Sequence, residues 1–259
     1  MDNDGINLDL WNKLSAVQKK TRIEFALKII INVAQIQKQS LKNIKKFGNP
    51  DAERFLYFEK TLDDIWENIK FAISLGKGKN RKFAFYPARS VLENFFRLDY
   101  FTQQNPQEQK NIAMMEALKV CKIMYDQEKT NNHTEGMKSF NNHYQKVSDG
   151  TYQDIDSINL SSLDAFPSMK EMMKRSNLLD GNEWYFIYRS LSESAHGKFM
   201  ARLIRELDDR AEYIRSLMCL NRIAIETIKI TDFHLRFKTK DDVKRVIIQA
   251  KSIIERQQS

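Results

Sequence analysis

An arginine and a histidine seven residues apart on one helix can share a single anionic group, and Arg189 and His196 offer that pair. At about 100° per residue, Tyr185, Arg189, Ser192 and His196 fall in one narrow sector of a helix over 184–196. The rise from Arg189 to His196 is about 10 Å, within reach of two long side chains converging on one phosphate. Guanidinium supplies a charged planar fork of donors, and imidazole titrates near neutral pH and can move a proton. A plainer reading of His196 is a hydrogen-bonded histidine near a helix end, beside Gly197.

Other constellations carry their own alternatives. Arg89 and Glu93 lie four apart on one helical face, the spacing of a simple ion pair, with Glu93 also able to orient Arg189 or His196 across a bundle. Lys77, Lys79, Arg81 and Lys82 form a basic cluster beside Phe83, Phe85 and Tyr86. That mixture can grip phosphate and stack bases, or be a solvated loop followed by core aromatics. Arg202, Arg205, Asp209 and Tyr213 alternate in charge and suggest an exposed helix face.

Metal and cofactor chemistry finds no foothold. Glu193 to His196 is an E-x-x-H unit, but di-iron bundles need a second one, and none precedes His133, His143 or His234. His133 and His143 are expected to be solvated. Gly76 and Gly78 make no phosphate-binding loop, because no G-x-x-x-x-G-K-[ST] follows a strand. Cys121 and Cys219 belong to no C-x-x-C pair and suit two buried free thiols in a reducing compartment. No metal and no cofactor is expected.

Helices must position these residues. The chain has 259 residues, 42% of them hydrophobic, but only 8 Gly and 4 Pro. That supply of turn residues suits a few long helices better than a sandwich or an α/β fold. The net charge of +8 favours polyanions such as RNA, DNA or an anionic surface, although 42 basic against 34 acidic residues is also an ordinary surface balance.

A first helix is expected from about Leu8 to Lys46, with Ile23, Leu27, Ile30, Ala34 and Leu41 on one side. Gly48-Asn49-Pro50 ends it. A second over 51–75 carries Phe55, Phe58, Leu62, Ile65, Ile69 and Ile73. A third begins near Pro87 and ends near Gln104, and Asn105-Pro106 opens a fourth that reaches about Lys129. Residues 130–166 form a long polar connection, of the kind that is functional or mobile. Short helix 168–176 precedes the helix of Arg189, the pattern is helical again to about His234, and Thr239 caps a last helix over 240–257. The expectation is an all-α, single-domain bundle of about seven to nine helices spanning 1–259. The acidic start Met1-Asp2-Asn3-Asp4 is unlike a secretory signal. Ile29-Ile30-Ile31, flanked by Lys28 and Asn32, is far short of a membrane span. A cytoplasmic protein with no membrane contact is expected.

The Arg189-x6-His196 spacing resembles the R-x4-6-H signature of the HEPN superfamily of bacterial helical domains. Arg89-Ser90-Val91-Leu92-Glu93, with Tyr188-Arg189-Ser190-Leu191-Ser192 and His196, is also similar to a family of uncharacterised bacterial helical domains with an R-x3-E helix and a later Tyr…Ser…His helix. Together the likeness spans roughly residues 87–205. It implies a metal-independent endoribonuclease in which Arg189 and His196 are catalytic, supported by Tyr185, Ser192, Arg89 and Glu93. His196 would be general acid or base, and Arg189 would neutralise charge building on the phosphate. It further implies a homodimer and a toxin or phage-defence setting. Active members commonly place Asn, Asp or His after the arginine, where this chain has Ser190. The rival expectation is a non-enzymatic helical module that binds a protein partner or nucleic acid.

Overall fold

The computed structural model describes residues 13–46, 52–76, 79–148, 154–195, 209–235 and 248. These residues form helices and turns, with no strand among them. In chain order the eight α-helices bounded among the described residues are α1 (Ala16–Lys46), α2 (Ala52–Leu75), α3 (Phe85–Gln103), α4 (Pro106–Thr130), α5 (Thr134–Ser148), α6 (Met169–Arg175), α7 (Gly181–Ala195) and α8 (Asp209–Leu235). Short 3-10 helices occupy Lys79–Phe83, Ile155–Ser157 and Leu160–Leu163. The chain is therefore the expected all-α bundle. Residues 8–12 of the first expected helix lie outside the described residues, as do Thr239 and most of the helix expected over 240–257.

Helix α3 is the hub. It packs on α2 and α8, and also touches α6 and α7. Its sequence explains why: Ala88, Val91, Leu92, Phe95, Phe96 and Leu98 are all fully buried, a stripe wide enough to face several neighbours. Phe95 and Phe96 meet edge to face at 5.2 Å between ring centres. Helix α8 lies along α1 and brings Leu217, Leu220 and Ile223 against the core that holds Ile23, Leu27 and Ile30. Each such side chain contributes about 1.5–3 kcal/mol when withdrawn from water.

Helix starts are set by local chemistry. The Asn105 side chain accepts the Glu108 backbone N–H at 2.9 Å, with Pro106 in the first turn of α4. Ser168 and Glu171 form a reciprocal capping box that starts α6. Asp180 Oδ1 accepts the backbone N–H groups of Asn182 (2.9 Å) and Glu183 (3.2 Å), which opens α7. Asn132 turns the chain between α4 and α5 with φ 55°, a left-handed conformation that asparagine tolerates.

Two expectations are corrected. Residues 130–166, expected as a long polar connection between helices, themselves contain α5 and two 3-10 helices. Leu118, Cys121 and Tyr125 of α4 bury Tyr144, Ile155 and Leu163 in a second, smaller core. Secondly, Tyr213 does not sit on an exposed face: it is 1% exposed and packed in the main core. Arg202 and Arg205 lie outside the described residues.

The cysteines are unpaired: Cys121 is buried and Cys219 only partly so. Burial pushes both thiols above the ordinary cysteine value. Among the described residues, no helix is long and apolar enough to cross a membrane.

Candidate functional site

Helix α7 is held by its inner face. Trp184 is buried in the main core, with Tyr188 and Leu191 packed against it. Arg189 is exposed on the outer face, and Tyr185 is half-buried beside it. Lys170 of α6 places its Nζ 5.7 Å from the Tyr185 ring centre, and the Tyr185 and Tyr188 rings stack at 6.3 Å. Lys170, the Tyr185 ring and the exposed Arg189 are thus carried by α6 and α7.

The other expected site residues divide. The Arg89–Glu93 ion pair forms within α3, with Nε to Oε1 at 3.0 Å. The Arg89 guanidinium also lies 5.8 Å from the Tyr188 ring centre. Burial pulls this guanidinium down, but the Glu93 hydrogen bond and charge, together with Tyr188, outweigh it and raise it above its ordinary value. Glu93 is therefore engaged with Arg89. Ser192 differs from Arg189: its Oγ is buried and has no hydrogen-bond partner, so helical spacing alone overstated how closely the two share a surface. His196 lies outside the described residues.

Of the basic cluster, Lys77 and the side chains of Lys79 and Lys82 lie outside the described residues. Arg81 donates from Nε to the Gly76 carbonyl at 3.0 Å, which gives it a structural task in the turn after α2. It also lines a cavity of about 130 Å³ with Lys20 and Arg210. The neighbouring aromatics are not core: Phe83 is 41% and Tyr86 49% exposed, and the Phe85 and Tyr86 rings lie 4.2 Å apart.

A further opening was not foreseen from the sequence. A cleft of about 370 Å³ is lined by Glu93, Arg97, Glu116, Lys119, Asp164 and Tyr188, with Phe166 at its wall. Lys119 is paired with Asp164, and Glu93 with Arg89. Arg97 and Glu116 remain. The Arg97 guanidinium rests 5.6 Å from the Phe166 ring centre, and its buried Nε has no hydrogen-bond partner. Burial pushes the Glu116 carboxyl above the ordinary carboxylate range; Arg97 and Lys119 pull it back, and Asp164 adds to the rise. Tyr188 joins this cleft to α7, one residue before Arg189.

His133 and His143 are exposed as expected, with His133 Nδ1 against the Glu128 carboxylate. No cluster of three or more His, Cys, Asp or Glu side chains placed to hold a metal occurs among the described residues. No family model, no curated protein and no solved structure matches the chain.

Proposed function

We propose that the chain is a HEPN-like, metal-independent endoribonuclease whose reacting phosphate is held by Arg189 of α7 together with His196. The observation that carries this reading is the exposure of Arg189 on a helix whose inner face is fixed in the core, beside the Lys170–Tyr185 cation–aromatic contact. A mobile RNA strand needs an accessible cation and ring faces on rigid elements, and this surface provides both. The net charge of +8 and the Arg81, Lys20 and Arg210 cavity add attraction for the backbone.

In the proposed reaction the RNA 2′-oxygen attacks its own phosphorus as its proton passes to a base. The bond to the 5′-oxygen breaks and that oxygen takes up a proton, leaving a 2′,3′-cyclic phosphate and a 5′-hydroxyl. His196 carries one of these protons, and Arg189 offsets charge gathering on the non-bridging oxygens. A homodimer and a toxin or phage-defence role belong to the same proposal. Replacing Arg189 and His196 singly by Ala and scoring RNA cleavage is the test: loss in both supports the site, and undiminished cleavage in both removes it.

One observation favours a second reading. Phe186 is 76% exposed on the outward side of α7, three residues from Arg189. An exposed aromatic of this size suits a protein contact, so a non-enzymatic module docking a partner through α7 is the alternative. It predicts no hydrolysis and a partner affinity that falls on Phe186→Ser.

A further inference from the structure

The cleft leaves one cation and one anion uncommitted. Its other charges are paired, Lys119 with Asp164 and Glu93 with Arg89. Neither Arg97 nor Glu116 has an ion-pair partner among the described residues, although the Arg97 charge reaches Glu116. The unpartnered Arg97 Nε is sealed from solvent, so an occupant of the cleft that Arg97 lines would meet the terminal N–H groups of its fork. Arg97 is also held by Phe166, 5.6 Å from the ring centre, which fixes where its donor fork sits before any ligand arrives.

An occupant must therefore present acceptors to a guanidinium and donors to a carboxylate. The volume of about 370 Å³ lies at the small end of ligand pockets, and Phe166 and Tyr188 provide aromatic walls. Among nucleobases, guanine alone offers paired acceptors, O6 and N7, for the arginine fork, and paired donors, N1–H and N2–H, for a carboxylate. Adenine, cytosine and uracil satisfy at most one side in bidentate fashion.

We infer that this cleft is a guanine-base pocket, with Arg97 donating to the O6/N7 edge and Glu116 accepting from the N1–H/N2–H edge. The inference rests on the RNA reading of α7 and deepens it. Tyr188 lines the pocket and Arg189 follows it in sequence on the outer face of α7, so the proposal seats the base against α7 with the strand continuing round the helix toward Arg189. The enzyme would then cut single-stranded RNA next to guanosine.

Guanosine monophosphate is the probe, with adenosine and cytidine monophosphates beside it, each measured on the full chain by equilibrium dialysis without any cleavage step. Guanosine monophosphate is expected to bind at least tenfold more tightly than the other two. Glu116→Gln and Arg97→Ala are each expected to weaken it at least tenfold while leaving the far-ultraviolet circular dichroism spectrum unchanged. Equal affinity for the three nucleotides on the unaltered chain overturns the pocket, whether or not the variants fold. So does a Glu116→Gln protein that binds guanosine monophosphate as tightly as wild type. The two readings fail differently: selective nucleotide binding in a protein whose RNA cleavage ignores His196 keeps the pocket and removes the catalytic pair.

Discussion

The guanidinium of Arg89 lies 5.8 Å from the centre of the Tyr188 ring, so the hub helix α3 grips α7 one residue before Arg189. Because Glu93 holds Arg89 from the same helix at 3.0 Å, the contact is braced from behind. Arg89→Met keeps most of the packing volume but removes the charge. It is expected to cost about 1 kcal/mol of stability and to reduce RNA cleavage through α7 without abolishing it. Chemical denaturation and initial rates on one preparation check both parts; a variant as inactive as His196→Ala would instead place Arg89 at the phosphate.

A second tie closes the opposite side of the bundle. The Tyr213 hydroxyl of α8 lies 2.8 Å from Glu24 Oε1 on α1 and 3.2 Å from the Ile73 carbonyl on α2. Burial, followed by the Glu24 carboxylate, holds this phenol above its ordinary value, and burial does the same to Tyr57. A raised folded-state value means the stabilising contribution is complete below the unfolded phenol value of about 10 and is lost as pH rises beyond it. Tyr213→Phe is expected to lose about 1 kcal/mol at neutral pH. The gap from wild type should hold up to about pH 9 and shrink as pH rises past about 10, as read by melting curves; a gap that stays constant contradicts the assignment.

Glu116 gives the opposite use of the same logic. Its carboxyl is raised mainly by burial, so its ionised form is disfavoured in the folded chain, and the associated stability is present only below the unfolded carboxyl value. Glu116→Gln should therefore melt higher than wild type at neutral pH, and the gain should vanish near about pH 3, where the wild-type carboxyl is protonated. A lower melting temperature at neutral pH would mean that Glu116 is a structural anchor.

The corner between α6 and α7 depends on Gly181. A Cβ at this position would stand 2.3 Å from the Met173 carbonyl oxygen, a backbone atom with little room to withdraw. Gly181→Ala should push the start of α7 off α6, costing about 1–3 kcal/mol and disturbing the Lys170–Tyr185 contact. Hydrogen exchange would show it as faster exchange over 181–195 with the α1–α8 pair unaffected; uniform protection would contradict the close-approach argument.

Much of the bundle is legible in the chain because burial follows helical spacing. Ile23, Leu27 and Ile30 are all fully buried, and so are Phe95 and Phe96, which anchor α3. Asn105-Pro106 marks a helix start that the structure caps as expected. Helix α5 was hidden because its apolar stripe, Met137, Phe140, Tyr144 and Val147, is diluted by Asn, Ser and Lys, and is covered by α4 with help from Ile155 and Leu163. Tyr213 follows a charge-alternating stretch that suggests solvent, yet its hydroxyl finds Glu24 across 189 residues of chain. Arg97 and Glu116 carry no local signal, since they sit on different helices and only packing of the bundle brings both to one cleft. The Arg89–Glu93 pair was readable because it is local. Ser192 shows the limit of a helical-wheel argument: a sector shared in projection still splits between solvent and core.

The most direct test of the central claim is cleavage of a single-stranded, guanosine-containing RNA by the full chain in excess chelator, with the termini identified. The proposal predicts fragments ending in 2′,3′-cyclic phosphate and 5′-hydroxyl, with the rate lowered about 100-fold or more by His196→Ala and by Arg189→Ala. Cleavage that proceeds equally well in both variants, or an unaltered chain that leaves the RNA intact, would contradict it.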